Sequence, residues 1–152
     1  MRYDYQFETD WLIEHELSEV WRLILASEQW PEWWPYVLKV DEELPGNESG
    51  IGNIRYYEFS CPFRYRLRFR LQLTDRIEHR LLHGVVSGDL SGEGSWHFEN
   101  LEGRTRVRCI WNVNPKRQWM RRLSGLLRPV FKYNHRAVMR AGYTSLVERL
   151  QS

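Results

Sequence analysis

The chain has little cysteine, little net charge and no long apolar run, and each shortage closes off a class of function. Cys61 and Cys109 are the only cysteines in 152 residues, too few for a disulfide framework or a cysteine-built metal cluster. They read as buried thiols in a reducing compartment. The 22 Lys and Arg stand against 20 Asp and Glu, so the general pull toward polyanions is weak and a dedicated nucleic-acid domain is not expected. No segment approaches the roughly 18 consecutive apolar residues that span a bilayer, and no apolar stretch follows a basic start. A soluble, cytoplasmic protein is the expectation. The absence of G-x-S-x-G, of a P-loop and of a glycine-rich turn opening a helix removes support for hydrolase and nucleotide-binding readings. Repeats, low-complexity tracts and Pro/Gly/Ser linkers are missing too, so residues 1–152 read as one domain.

Aromatic residues are what the chain has in excess. Eight tryptophans stand beside eight tyrosines and six phenylalanines. Such wide, flat side chains fill a bulky core or line a cavity.

Hydrophobic periodicity orders the elements. Tyr3, Tyr5, Phe7, Thr9, Trp11 and Ile13 alternate with mostly polar residues, which predicts a first strand. Ser18 offers a helix N-cap ahead of Val20, Trp21, Leu23 and Ile24, and Pro31 and Pro35 bracket at most one further helical turn. Six extended segments follow, roughly 37–44, 52–60, 63–74, 77–90, 93–100 and 104–113, with turn chemistry between them. After Pro115 the period changes to 3.6, through Trp119, Leu123, Leu126, Val130, Phe131, Val138, Tyr143, Leu146 and Leu150. Pro129 is expected to kink or split this helix, leaving a C-terminal piece of about 20 residues and about 30 Å. A seven-stranded antiparallel sheet that hides one face needs a cover, and only the last helix is long enough to supply it.

The segment Phe63 to Leu73 reads FRYRLRFRLQL. In a strand its alternation gives an oily face of Phe63, Tyr65, Leu67, Phe69, Leu71 and Leu73, and a cationic face of Arg64, Arg66, Arg68 and Arg70. The arginines read as the solvent side, partly paired across strands, with Glu93 and Glu99 opposite Arg104, Arg106 and Arg108 suggesting the same habit. A second basic cluster, Lys116, Arg117, Arg121, Arg122 and Arg128, could meet an anionic lipid surface or an acidic partner.

Four stretches carry a resemblance. They are Glu19-Val20-Trp21 on the first helix, Trp30-Pro31-Glu32-Trp33-Trp34-Pro35 after it, the hairpin from Ser87 to Trp96, and the last-helix segment from Tyr133 to Gly142. In this order they make the chain resemble the START-like (SRPBCC) superfamily, in particular its polyketide cyclase/dehydrase and lipid-transport branch. The resemblance implies an α+β helix-grip fold: a curved seven-stranded antiparallel sheet wrapped around a long C-terminal helix, with two short helices after the first strand. It also implies a hydrophobic cavity between sheet and helix that takes a lipid- or polyketide-like small molecule. Some members cyclise or dehydrate polyketides, others carry or sense a ligand, and others act through protein partners. They share no catalytic motif.

Against that expectation the candidate wall residues are Tyr65, Phe69 and Leu71 of the FRYRLRFRLQL strand, with Trp96, Phe98 and Trp111 from later strands. Trp34, Tyr56, Phe131 and Val138 complete the apolar set. The polar candidates are Glu58, Asn134 and His135. If Ile54 and Tyr56 point inward, so does Glu58, and desolvation would suit its carboxyl to general acid or base work. The opposite register turns Tyr57 and Phe59 inward and leaves Glu58 outside. Asn134 and His135, mid-helix among apolar residues, could hydrogen-bond a ligand carbonyl or hydroxyl, with His135 as a proton shuttle. His79 and His83 have the spacing of a helical zinc pair, but on a strand they stand about 13 Å apart. No metal and no cofactor is expected. The readings left open are a cyclase or dehydratase using Glu58 and His135, a non-catalytic carrier or sensor, and an interaction module working through the arginine face.

Overall fold

A computed structural model describes residues 3–62, 65–116, 122 and 124–152. The chain runs β1 (Tyr5–Ile13), α1 (Leu17–Leu25), a 3-10 turn (Ser27–Gln29), α2 (Trp30–Trp33), β2 (Val37–Leu44), β3 (Ile54–Ser60), β4 (Arg66–Ile77), β5 (Leu81–Gly88), β6 (Leu90–Leu101), β7 (Arg104–Pro115) and α3 (Ser124–Gln151). The strands form one seven-stranded sheet in the order β1-β7-β6-β5-β4-β3-β2. Every neighbouring pair is antiparallel, with β1 returning to the far edge beside β7. This is the helix-grip arrangement, with α1, α2 and α3 set against the sheet.

Several boundaries differ from the sequence reading. Helix α1 starts at Leu17, one residue before Ser18, and its N-cap Glu16 makes no side-chain capping bond. The β4–β5 turn falls at residues 78–80, not at Asp75-Arg76, with His79 taking a positive φ of 63°. The β5–β6 turn is reduced to Asp89, and Gly92, placed in a turn by sequence, lies inside β6. Its φ of 146° leaves so little room that a Cβ would come within 2.1 Å of the Asn112 carbonyl oxygen, so only glycine fits. Helix α3 runs unbroken through Pro129 for 28 residues. The carbonyl that the proline leaves without an amide partner is that of Gly125, an exposed residue at the described start of the helix, where water can satisfy it. Trp119 and Leu123, read from sequence as helical, lie outside the described residues, as do Arg117 and Arg121 of the basic cluster and Phe63 and Arg64.

Sheet and helices meet in an aromatic core. The Trp34 indole N–H donates to the Val138 carbonyl (2.9 Å), tying α2 to α3. A Cβ on Gly142 would fall 2.6 Å from that indole, so the glycine is what lets helix and ring approach. The outer sheet face carries ion pairs: Arg68 with Glu58 (2.7 Å), Arg70 with Glu43 (2.6 Å), Arg106 with Asp10 (2.9 Å) and Arg108 with Glu8 (3.2 Å). As expected, Glu99 of β6 faces Arg106 (3.9 Å), but Arg106 and Arg108 take their closer partners from β1. Glu93 faces Asn112 across the strands and meets His83 instead.

Candidate functional site

Between the concave sheet face and α3 lies a cavity of about 320 Å³, at the lower end of the range for small-molecule sites. Strand β4 and its approach set its long dimension. Tyr65, Leu67, Phe69, Leu71 and Leu73 all line it, and at the strand rise of about 3.3 Å per residue Tyr65 and Leu71 stand about 20 Å apart. Trp30, Trp96 and Trp111 add indole surface, and Phe131 and Val138 close the wall from α3. Phe69 stacks on Tyr57 (5.3 Å between centroids, 14°) and meets Trp111 edge-on (5.4 Å). Gly84 and Gly94 face each other across β5 and β6, where a side chain would run into Leu71 or Trp111.

Tyr65, Asn134 and His135 meet at the α3 end. Asn134 Nδ2 donates to the Tyr65 hydroxyl (3.0 Å), and the Cys61 amide donates to the Tyr65 carbonyl (2.9 Å). Asn134 is 2 % exposed, and its Oδ1 is buried with no partner. His135 Nε2 lies 3.2 Å from Thr9 Oγ1, and its ring stacks on Phe7 at 4.3 Å and 11°. Burial lowers its pKa to about 4, so the imidazole is neutral at neutral pH. Burial also raises the Tyr65 hydroxyl and pushes the thiols of Cys61 up to about 11 and Cys109 up to about 12. Both cysteines are therefore protonated and poor nucleophiles.

The other end, under α1 and the 3-10 turn, is built on Arg55. Its Nη1 donates to the Leu25 carbonyl (2.9 Å) and to Ser27 Oγ (2.8 Å). Its Nη2 lies 3.0 Å from Glu28 and 3.7 Å from Glu42. Ser27 Oγ and the Tyr57 hydroxyl share a 2.8 Å hydrogen bond, and Asn53 donates to Glu42. Burial raises the Tyr57 hydroxyl pKa.

The structure corrects four of the sequence-predicted site residues. Strand β3 turns Arg55, Tyr57 and Phe59 to the cavity, so Tyr56 and Glu58 face the outer side. There Glu58 is ion-paired with Arg68, which holds its carboxyl below the usual range, contrary to the raised pKa expected of a buried acid. Trp34 is 2 % exposed and buried between α2 and α3, not in the cavity wall. Phe98 faces inward but packs edge-on against Trp21 (4.9 Å), because α1 covers that part of the sheet. Tyr65, Phe69, Leu71, Trp96, Trp111, Phe131, Asn134, His135 and Val138 are brought together around the cavity. Sequence reasoning missed Arg55 and Ser27. The only signal for them was Tyr57 and Phe59 as an inward aromatic pair, which carries Arg55 inward with it. His79 contacts Trp21 edge-on, while His83 sits between Asp75 and Glu93. Among the described residues no group of three or more His, Cys, Asp or Glu is placed to hold a metal.

Residues 6–151 match the model of the polyketide cyclase/dehydrase and lipid-transport family. The chain belongs to that family. It shares its fold with protein TTHA0849 of Thermus thermophilus (TM-score 0.81, 16 % identity, 97 % of each chain covered). A START superfamily protein from Mycobacterium smegmatis is similar (TM-score 0.77, 11 % identity, 96 % of this chain and 97 % of the other). So is the Zhui aromatase/cyclase from Streptomyces sp. R1128 (TM-score 0.74, 12 % identity, 97 % and 93 %). No curated protein matches the chain in sequence. Among the described residues no helix is long and apolar enough to cross a membrane.

Proposed function

We propose that this family member binds an apolar or amphipathic small molecule, lipid- or polyketide-like in bulk, in the cavity between β4 and α3. The observation that carries this is the cavity itself. About 320 Å³ is enclosed mainly by aromatic and aliphatic side chains, with hydrogen-bonding groups gathered at two ends, the composition of a small-molecule site. Such a cavity serves a carrier or sensor without any chemistry. The presence of His135 in the wall supports a second reading, cyclisation or dehydration of a polyketide-like carbonyl compound. On that reading His135 moves the proton, since Glu58 faces away.

The test uses Prodan, a neutral naphthyl ketone whose emission moves to the blue in apolar surroundings. Wild type is expected to shift the emission saturably, and Leu67→Trp, which fills the middle of the cavity, to abolish the shift while keeping the thermal midpoint within a few degrees. A wild-type protein that leaves Prodan unshifted and carries no small molecule in native mass spectrometry would sink the binding reading. On the enzymatic reading His135→Phe should lose conversion of a polyketide-like substrate; unchanged conversion would remove His135 as the proton carrier, and no conversion by wild type would leave the carrier.

A further inference from the structure

The charge of a ligand that this cavity can accept follows from which of its wall groups still have something to offer. Among the described residues, those of the wall that can carry positive charge are Arg55, Arg76, His83 and His135. Arg55 already has Glu28 and Glu42 within 4 Å, besides two neutral acceptors. Arg76 is held by Glu78 (2.9 Å) and lies over the Trp21 ring. His83 has Asp75 on one ring nitrogen and Glu93 on the other, each at 3.3 Å. His135 is stacked on Phe7 and kept neutral by burial. The two permanent cations and His83 are therefore met by five carboxylates, and none of the three is left unpaired.

The spare hydrogen-bonding capacity points the same way. At the α3 end it is an acceptor, the buried Asn134 Oδ1. The amide stands with its Nδ2–H donating to the Tyr65 hydroxyl, which leaves Oδ1 as the spare group. An electron pair there repels a carboxylate and suits a hydroxyl. At the α1 end the Arg55 Nε–H is buried without a partner. A ketone, ester or alcohol oxygen is matched to that donor, whereas a carboxylate would become the third anion around one guanidinium. An anionic head group entering the cavity would lose its hydration, and among the described residues of the wall no unpaired cation replaces it. Among the described residues, Arg128 lies 5.2 Å over the ring of the wall residue Tyr5, and it is not itself in the wall.

We infer that the cavity selects uncharged, oxygen-bearing ligands such as ketones, alcohols and esters, and rejects carboxylates of the same shape, fatty acids included. This rests on the cavity being the binding site proposed above.

The test is displacement of Prodan at pH 7.5 by an isosteric pair, 2-acetylnaphthalene and 2-naphthoate, which differ in a methyl group against a charged oxygen. The ketone is expected to compete at least about tenfold better, the scale of one uncompensated polar mismatch. Glu28→Gln/Glu42→Gln, which releases Arg55, is expected to narrow that ratio several-fold by strengthening naphthoate. Equal or better competition by naphthoate on wild type overturns the inference while leaving the binding reading intact. If discrimination on wild type vanishes in Arg128→Gln, or is unchanged in the Glu28→Gln/Glu42→Gln variant, its assignment to the paired state of Arg55 falls. Absence of any Prodan signal, together with no small molecule carried in native mass spectrometry, overturns the binding reading, and the inference with it.

Discussion

At the α1 end of the cavity a guanidinium is held by two carboxylates, a carbonyl and a hydroxyl drawn from three separate elements. At the α3 end Tyr65, Asn134 and His135 meet without a single formal charge among them. The first is a clamp: Arg55 of β3 joins β2, the end of α1 and the 3-10 turn, and its energy is spent on holding those together. The second keeps an unspent acceptor and a neutral imidazole against the apolar space. A charged residue in a cavity wall is therefore no guide by itself to ligand charge, since what counts is how much of it the fold has already used.

The largest expected effect breaks the neutrality of the α3 end with acid. The folded pKa of His135 lies at about 4, below the ordinary value of about 6.5, so the unfolded chain takes up the proton first. Stability is full above pH 6.5 and falls as pH drops toward 4, by up to about 3 kcal/mol from this residue alone. His135→Phe keeps the stack on Phe7 and should flatten that slope. Urea midpoints at pH 7.5, 5.5 and 4.5 measure it, and parallel slopes in the two proteins would refute the buried, neutral histidine. The depressed carboxyls of Asp10, Glu43 and Glu58 also lose their pairing in acid, but equally in both proteins, so the difference isolates His135.

The next effect breaks the clamp. Arg55→Leu leaves Glu28, Glu42 and Ser27 without their shared partner. Complete burial would make this a loss of about 3–5 kcal/mol, and because the glutamates remain partly exposed to water about 2 kcal/mol is expected. Urea denaturation of Arg55→Leu against Arg55→Lys separates the bidentate guanidinium from mere charge, with Lys recovering less than half of the loss.

The contrast between the ends also explains what the sequence disclosed and what it hid. The helix-grip order was readable because β4 alternates strictly and α3 has a continuous 3.6 period, so Tyr65, Phe69, Leu71, Phe131 and Asn134 could be assigned a side from pattern alone. Strand β3 reads Ile-Arg-Tyr-Tyr-Glu-Phe-Ser, with aromatics on both faces and one charge on each, so alternation could not choose a register. The choice is made by tertiary partners. Arg55 finds Ser27, Glu28 and Glu42 inside, Glu58 finds Arg68 outside, and none of these is near in sequence. Trp34 and Phe98 failed for another reason: Trp34, at the end of α2, is buried against α3, and Phe98 is covered by Trp21 of α1, and helix packing is invisible to strand periodicity.

A smaller effect sharpens the neutrality of the α3 end. Asn134→Leu removes one hydrogen bond to Tyr65 and one orphaned acceptor together. These offset, and stability should stay within about 1 kcal/mol of wild type. Asn134→Asp is nearly isosteric but brings a carboxylate to a place where, among the described wall residues, no cation is unpaired. Its carboxyl should titrate well above the ordinary range, and its cost at pH 7.5 should exceed that of the leucine variant. Equal denaturation midpoints for the two variants would mean that this end is less enclosed than its burial indicates.

The smallest expected effect lies outside the cavity altogether. Glu58 is paired with Arg68 on the solvent side of the sheet, and Tyr56 shares that side, with Arg70 over its ring at 5.2 Å. Glu58→Gln should therefore leave Prodan affinity and any turnover as in wild type, although the sequence offered its carboxylate as an acid–base candidate. A loss of binding in Glu58→Gln that Arg68→Gln does not share would require Glu58 to reach the cavity, which means exchanging the two faces of β3. That exchange would pull Arg55 out of its clamp at the same time, so the variant would also show the stability loss expected of Arg55→Leu. Binding and stability changing together in Glu58→Gln is thus the one result that would reverse the register, and with it the distinction between the two ends.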